Sequence, residues 1–283
     1  MKKLMMAIAA AAMLLSVNCT KGDNDSEVNV AILNADSMLK RDITFTFGGE
    51  TRSTLSDAQM TDLWVFDYVD GLQVGSTHQT SDGDGFGSVT VSVTYGDHTF
   101  YFVASRGTEP TIDGTTITWA KPSDTFWQSV TLDIEPGTST THAVTLIRVT
   151  TRLRITVTDE VPAELSKLCI TPETWYYGLD FTTGEPCDTR NQERSVSVPS
   201  SYVGTSGTLM MSIFGFSGTA EWNTGVVVTA RNSSNASIGS VTLADVPFTR
   251  NRVTSYSGGL FQTGRSMTVE VDDAWADDYE ATW

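Results

Sequence analysis

Leu146-Ile147-Arg148-Val149-Thr150-Thr151-Arg152-Leu153-Arg154-Ile155-Thr156-Val157 lies near the middle of the chain and decides how the rest is read. Val144 and Leu146 fall on alternate positions, as do Leu153, Ile155 and Val157, so each set can bury one face of a strand. Between Arg148 and Arg152 the alternation slips out of phase. One strand therefore ends and another begins with almost no linker. Arg148, Arg152 and Arg154 stand close together in a chain whose net charge is −16. The stretch reads as the seam between two β-domains, 28–149 and 150–283, the last strand of the first running into the first strand of the second. One long bent strand in a single large sandwich is the alternative.

Composition agrees with an all-β chain. A length of 283 residues suits two domains, and 40% hydrophobic residues suffice for two cores. Thr, Ser and Gly are abundant and charges are sparse, which favours strands and turns over helices. Without Lys2 and Lys3 of the leader the net charge moves from −16 to −18. So anionic a surface disfavours nucleic acid as a partner.

The N-terminus reads as a secretion signal over residues 1–18. Lys2 and Lys3 form its basic end and Leu4 to Leu15 its apolar core, which is too short for a membrane span. Ser16-Val17-Asn18-Cys19 resembles the lipobox of bacterial lipoproteins, in which the Cys becomes the acylated first residue. Asn18 is looser than the usual Gly or Ala, and a plain cleavage site beside an incidental Cys is the alternative. Acylation of Cys19 would give stable membrane anchoring. Residues 19–27 form a polar, acidic tether. An acidic run after the lipidated Cys resembles the surface-export signal of Bacteroidetes lipoproteins; a solvated spacer reads equally well. In an oxidising compartment Cys169 and Cys187 could bridge, or both could be buried free thiols.

Strand signals recur along both halves. Val28, Val30 and Ile32 alternate, then Ile43, Phe45 and Phe47, with Lys40-Arg41 between them. Asp62 to Tyr68 is strongly apolar, and Asp70-Gly71 sits at a hairpin position. Val89 to Tyr95, Thr99 to Ser105 and Val130 to Ile134 follow. Ser123 to Trp127 suggests one helical turn with Ser123 or Asp124 as its cap, and Pro162 to Leu165 another. Further strands run to Met267, Val269 and Val271, with Asn232 to Asn235 as a hairpin tip. About seven strands per half is the count of a β-sandwich.

Chemistry is harder to find. His78, His98 and His142 stand at no metal-ligand spacing. Ser81-Asp82-Gly83-Asp84-Gly85 has the opening of a calcium loop but lacks its closing Glu and its flanking helices, so a Gly-Asp turn is the better reading. Gly204-Thr205-Ser206-Gly207 is a turn rather than a nucleophile elbow. The sequence implies no cofactor and no catalytic residue, although a carboxylate pair for glycoside hydrolysis would be invisible at this level. Trp175-Tyr176-Tyr177 leaves lectin-like sugar binding open, while Trp64 and Trp222 read as core.

Several stretches taken together resemble the fimbrillin-type pilus subunits of Bacteroidetes. They are Cys19 in its lipobox, Thr61 to Asp67, Tyr95 to Ser105, Leu146 to Leu153, Asp159 to Ala163, and Val246 to Thr254 before Gly258-Gly259-Leu260-Phe261. The resemblance implies two tandem transthyretin-like β-sandwich domains and delivery to the outer membrane as a surface lipoprotein. It implies non-enzymatic assembly with other fimbrial subunits by strand exchange, in support of adhesion to a host or bacterial surface ligand. It also implies that stalk subunits lose their first strand to a trypsin-like protease cutting after Arg. On this sequence Val28 to Leu33 is the expected removable strand, Arg41 the first processing site and Arg52 the second, with Lys40-Arg41 as an ordinary polar loop the alternative. The short acidic end, Glu280-Ala281-Thr282-Trp283, suits an accessory, tip or anchor subunit better than the main stalk fimbrillin. A glycan-binding surface lipoprotein is the rival.

Overall fold

The computed structural model describes residues 40–49, 55, 59–107, 109–261 and 266–272. They form nineteen strands and a single 3-10 turn at Ser200–Tyr202. The first half supplies nine strands: β1 (Lys40–Gly49), β2 (Asp62–Val69), β3 (Leu72–Thr80), β4 (Ser88–Thr94), β5 (Gly96–Ser105), β6 (Thr111–Asp113), β7 (Thr116–Thr118), β8 (Thr125–Ile134) and β9 (Thr141–Arg148). Seven of them make one sheet in the order β3-β2-β5-β8-β9-β1-β4. β8 and β9 are joined by only two residue pairs, Phe126↔Arg148 and Trp127↔Ile147. This narrow joint lets the sheet fold over, with β9-β1-β4 facing β3-β2-β5-β8 across a shared core. Ile43, Phe45 and Val144 come from one face, Leu63, Phe100 and Phe102 from the other. The β2–β3 hairpin turns at Asp70-Gly71, whose φ values of 51° and 76° are those of the primed turn that matches strand twist.

The second half supplies β10 (Thr150–Val157), β11 (Leu165–Pro172), β12 (Trp175–Asp180), β13 (Glu185–Arg190), β14 (Arg194–Ser197), β15 (Leu209–Phe216), β16 (Trp222–Asn232), β17 (Ser237–Phe248), β18 (Val253–Gly258) and β19 (Met267–Asp272). Sheet β15-β10-β18-β19 packs on sheet β14-β11-β16-β17. The alternating Leu153, Ile155 and Val157 of β10 meet Leu168, Val226 and Val228 in their common core.

A third sheet, β13-β12-β7-β6, draws one hairpin from each half. β7 and β12 pair through Thr118↔Gly178, Ile117↔Leu179 and Thr116↔Asp180. Gly178 permits the approach, because a Cβ there would lie 2.6 Å from Thr118 Cγ2. An aromatic cluster fills the space beneath: Phe66 stacks on Phe181 at 4.0 Å and Trp119 on Phe216 at 5.2 Å. Leaving this bridging sheet aside, seven strands belong to the first sandwich and eight to the second.

The seam is very short. Val149 alone separates β9 from β10, and its N–H donates to Thr125 O at 3.0 Å. Arg148, one residue earlier, grips the buried Asp124 with Nε 2.7 Å from Oδ1 and a second guanidinium N–H 3.1 Å from Oδ2, and it also donates to Asn251 Oδ1 at 3.0 Å. The helical turn expected at Ser123 to Trp127 is not formed. Thr125 instead opens β8, pairing with Ser105, and Asp124 spends its carboxylate on Arg148 rather than on capping. Burial of Phe126 and a full ladder with β5 outweigh the local capping preference. The expected turn near Pro162 is a single tight turn closed by Leu165 N–H to Pro162 O at 3.1 Å.

Candidate functional site

β1 is the first strand of the described chain, and its place is unusual for a first strand. It lies inside its sheet, antiparallel to β4 (Lys40↔Thr94 to Thr46↔Ser88) and parallel to β9 (Thr44↔Thr141 to Gly49↔Leu146). Strict alternation sends Ile43, Phe45 and Phe47 into the core, where the Phe45 ring centroid sits 4.8 Å from that of Phe100 and 5.0 Å from that of Phe102. Thr44 on the opposite face meets Thr90 across the ladder, hydroxyl to hydroxyl at 2.8 Å. β4 has no other partner strand among the described residues, so β1 alone ties it to the sheet.

Arg41 is not in a loop between two strands. It is the second residue of β1, opposite Val93, and its guanidinium donates to the Glu135 carbonyl at 3.3 Å and to the Thr138 carbonyl in the β8–β9 turn. The ladder with β4 begins at Lys40, ahead of the first buried side chain, because that turn offers carbonyls to the arginine. Cys19, the Val28 to Leu33 strand and Arg52 lie outside the described residues.

Cys169 and Cys187 are both free thiols. Cys169 is buried on β11 and Cys187 half-buried on β13, in different sheets. Burial, and next the charge of Glu193, raises the Cys169 thiol above its ordinary range. Cys187 is pushed up to about 11 by burial and then by the carboxylates of Asp188 and Asp180. Neither is poised as a nucleophile.

The aromatic stretch at Trp175-Tyr176-Tyr177 does not form a sugar platform. Trp175 and Tyr177 are buried, and Trp175 Nε1 donates to Phe214 O at 2.8 Å. The β12 ladder fixes their alternation, and the second core claims the inward pair. The histidines hold structural positions. His98 is buried with Nδ1 2.7 Å from Asp67, His78 stacks on Trp64 and sits 2.8 Å from Asp62, and His142 contacts Ser139 O at 2.9 Å. Among the described residues no group of His, Cys, Asp or Glu could hold a metal ion. No described helix is long and apolar enough to cross a membrane.

A cavity of about 760 Å³ opens over the outward side of β10 and β15, and Arg106, Lys121, Arg152 and Arg194 all line it. These four are scattered along the chain and come together only through the fold, so no local pattern marked them.

Comparison of the sequence with protein-family models and with curated proteins finds no match. Solved structures do match. A candidate adhesin from Bacteroides ovatus aligns over 83% of this chain and 95% of its own at 12% identity, with a TM-score of 0.53. A candidate polysaccharide-binding protein from Bacteroides thetaiotaomicron aligns over 83% and 96% at 11% identity, with a TM-score of 0.52. The tip fimbrial protein Mfa3 of Porphyromonas gingivalis, truncated at its C-terminus, aligns more loosely, over 82% and 99% at 12% identity with a TM-score of 0.46. The chain thus shares its all-β fold with these two candidate Bacteroides proteins.

Proposed function

We propose that this chain is a non-enzymatic subunit of a cell-surface fimbrial or adhesive assembly, delivered to the outer membrane through acylated Cys19 and, once cleavage has removed that segment, joined to its neighbours by β-strand addition. The two sandwiches act as its domains, meeting at Val149. The observation that carries this reading is the position of β1. A strand held between β9 and the edge strand β4, and tied onward only through the segment leading to β2, can leave without breaking the pairing among β3, β2, β5, β8 and β9. Its departure would bare β9 and β4 as unpaired edges over an apolar groove, the combination that strand addition satisfies. Burial of Ile43, Phe45 and Phe47 corresponds to roughly 5–9 kcal/mol, comparable with the whole stability of an ordinary domain. A groove so costly to leave empty would take up a replacement strand.

The extent of β1 favours a different order for the two proposed processing sites. Cleavage after Arg41 would leave Asp42 to Gly49 in place, with all three apolar anchors. Cleavage after Arg52, beyond the end of β1, would free the entire strand. We therefore favour Arg52 as the processing site of an assembling form. N-terminal sequencing of the surface-assembled protein is the test. A chain beginning at Ser53, recovered with a second subunit, is expected. A chain still beginning at Cys19, recovered alone, would contradict assembly through this groove. Cys19→Ala is expected to shift the protein from the membrane fraction to the soluble fraction; retention with unchanged detergent partitioning would contradict the anchor.

A further inference from the structure

The cavity over β10 and β15 is an electrostatic exception. The chain has 34 acidic and 18 basic side chains, yet four of the basic ones line this one cavity, against a single carboxylate among the described residues, Glu193. That carboxylate is engaged with Arg231 at 2.7 Å. Asp124, 3.9 Å from Arg106, is gripped at two points by Arg148.

The guanidinium groups are held in place before any ligand arrives. Arg152 is buried, donates to Ser212 Oγ at 3.1 Å and lies 5.5 Å from the Phe214 ring centroid. Arg194 donates to Ala120 O at 3.2 Å. Arginine held this way loses little freedom on gripping a carboxylate or sulfate. The volume is that of an ordinary small-ligand pocket.

We propose that this cavity binds an acidic oligosaccharide, one whose carboxylate or sulfate groups meet Arg106, Lys121, Arg152 and Arg194. The cations come from both halves of the chain, Arg106 and Lys121 from the first and Arg152 and Arg194 from the second. Ser123, Gln192 and Thr208 offer hydroxyl and amide partners for sugar hydroxyls, and Tyr202 an aromatic surface. The surrounding negative charge would repel long polyanions, so binding is local and weakens with salt. The proposal is independent of how the chain is anchored or assembled.

The test is titration calorimetry on the intact, soluble Cys19→Ala chain at low salt. The probes are tetragalacturonate, a sulfated tetrasaccharide, maltotetraose and tetraglutamate. At least one acidic saccharide is expected to bind, with maltotetraose and tetraglutamate at least tenfold weaker. Lys121→Gln and Arg194→Gln, both on partly or fully exposed side chains, should each weaken that binding by about tenfold, as loss of one charge-assisted contact does. Unchanged thermal melting of each variant would show that the fold is kept. Equal binding of maltotetraose would overturn the charge argument, and equal binding of tetraglutamate would make the site a peptide site. No binding by either acidic saccharide, or full affinity in both variants, would overturn the proposal.

Discussion

β1 and β10 occupy matching places in the two sandwiches. Each lies between an antiparallel neighbour, β4 or β15, and a parallel one, β9 or β18. Each sends three alternating apolar side chains inward: Ile43, Phe45 and Phe47 in one, Leu153, Ile155 and Val157 in the other. They differ in how they are tied. β10 follows β9 after one residue, and Arg148, gripping Asp124 and Asn251, clamps its start. β1 is held at its start by Arg41 on two turn carbonyls. The sheet geometry is shared, so the proposed exchange of β1 would depend on the covalent connection and the clamp rather than on the strand's pattern.

That contrast can be broken at its strongest point first. Phe45→Ala is expected to cost about 3–5 kcal/mol and Ile155→Ala about 2–5 kcal/mol in urea titrations of the whole chain. Similar losses would confirm that the two strands contribute alike to stability; a negligible loss at Phe45 would mean that β1 is only loosely seated.

Arg148→Met removes the clamp on β10 and leaves the Asp124 carboxylate buried beside the more distant Arg106. A loss of about 3 kcal/mol is expected. Adding Asp124→Asn should recover part of it, and no recovery would show that the pair is not what fixes the seam.

A smaller change away from both strands sets the baseline. Gly71→Ala forces a Cβ into a backbone with φ of 76° and should cost about 1 kcal/mol by thermal melting, with β1 unaffected.

The smallest effect concerns Cys187, in the bridging sheet that neither strand joins. Its thiol stays protonated in the folded chain up to about 11, against 9.0 for an unperturbed cysteine, because of burial and then Asp188 and Asp180. The folded state therefore holds its proton more tightly than the unfolded one. The stability from this group is complete below pH 9 and declines as pH rises toward 11. Iodoacetamide labelling of Cys187 should be slow at about pH 8, where the thiolate is scarce, and should not change when β1 is exchanged. Faster labelling on exchange would mean that the two sandwiches are coupled through the bridging sheet.

The alternation at Leu146 and at Leu153 to Val157 made the strand break readable from the sequence, because a period of two permits only one buried face per register. Asp70-Gly71 and Asn232 to Asn235 were equally legible, since positive φ is written in the residues that tolerate it. Arg41 was misplaced because its guanidinium partners, the carbonyls of Glu135 and Thr138, lie far along the chain. Trp175 and Tyr177 looked available for sugar until β12 turned them into the core. The β7–β12 pairing and the four-cation cavity were invisible for the same reason: both depend on which distant segments meet.

The exchange of β1 itself tests the central claim most directly. A specific protease site placed at residues 50–54 allows the folded chain to be cut behind β1, after which a labelled peptide of sequence Lys40–Gly49 is added. The cut chain is expected to take up the labelled strand while the uncut chain does not, and a Phe45→Ala peptide should compete poorly. A cut placed at Arg41 instead should give no uptake, since β1 then remains covalently attached. Equal uptake by cut and uncut chains, or none by either, would contradict a replaceable first strand and leave β1 as fixed in its sandwich as β10.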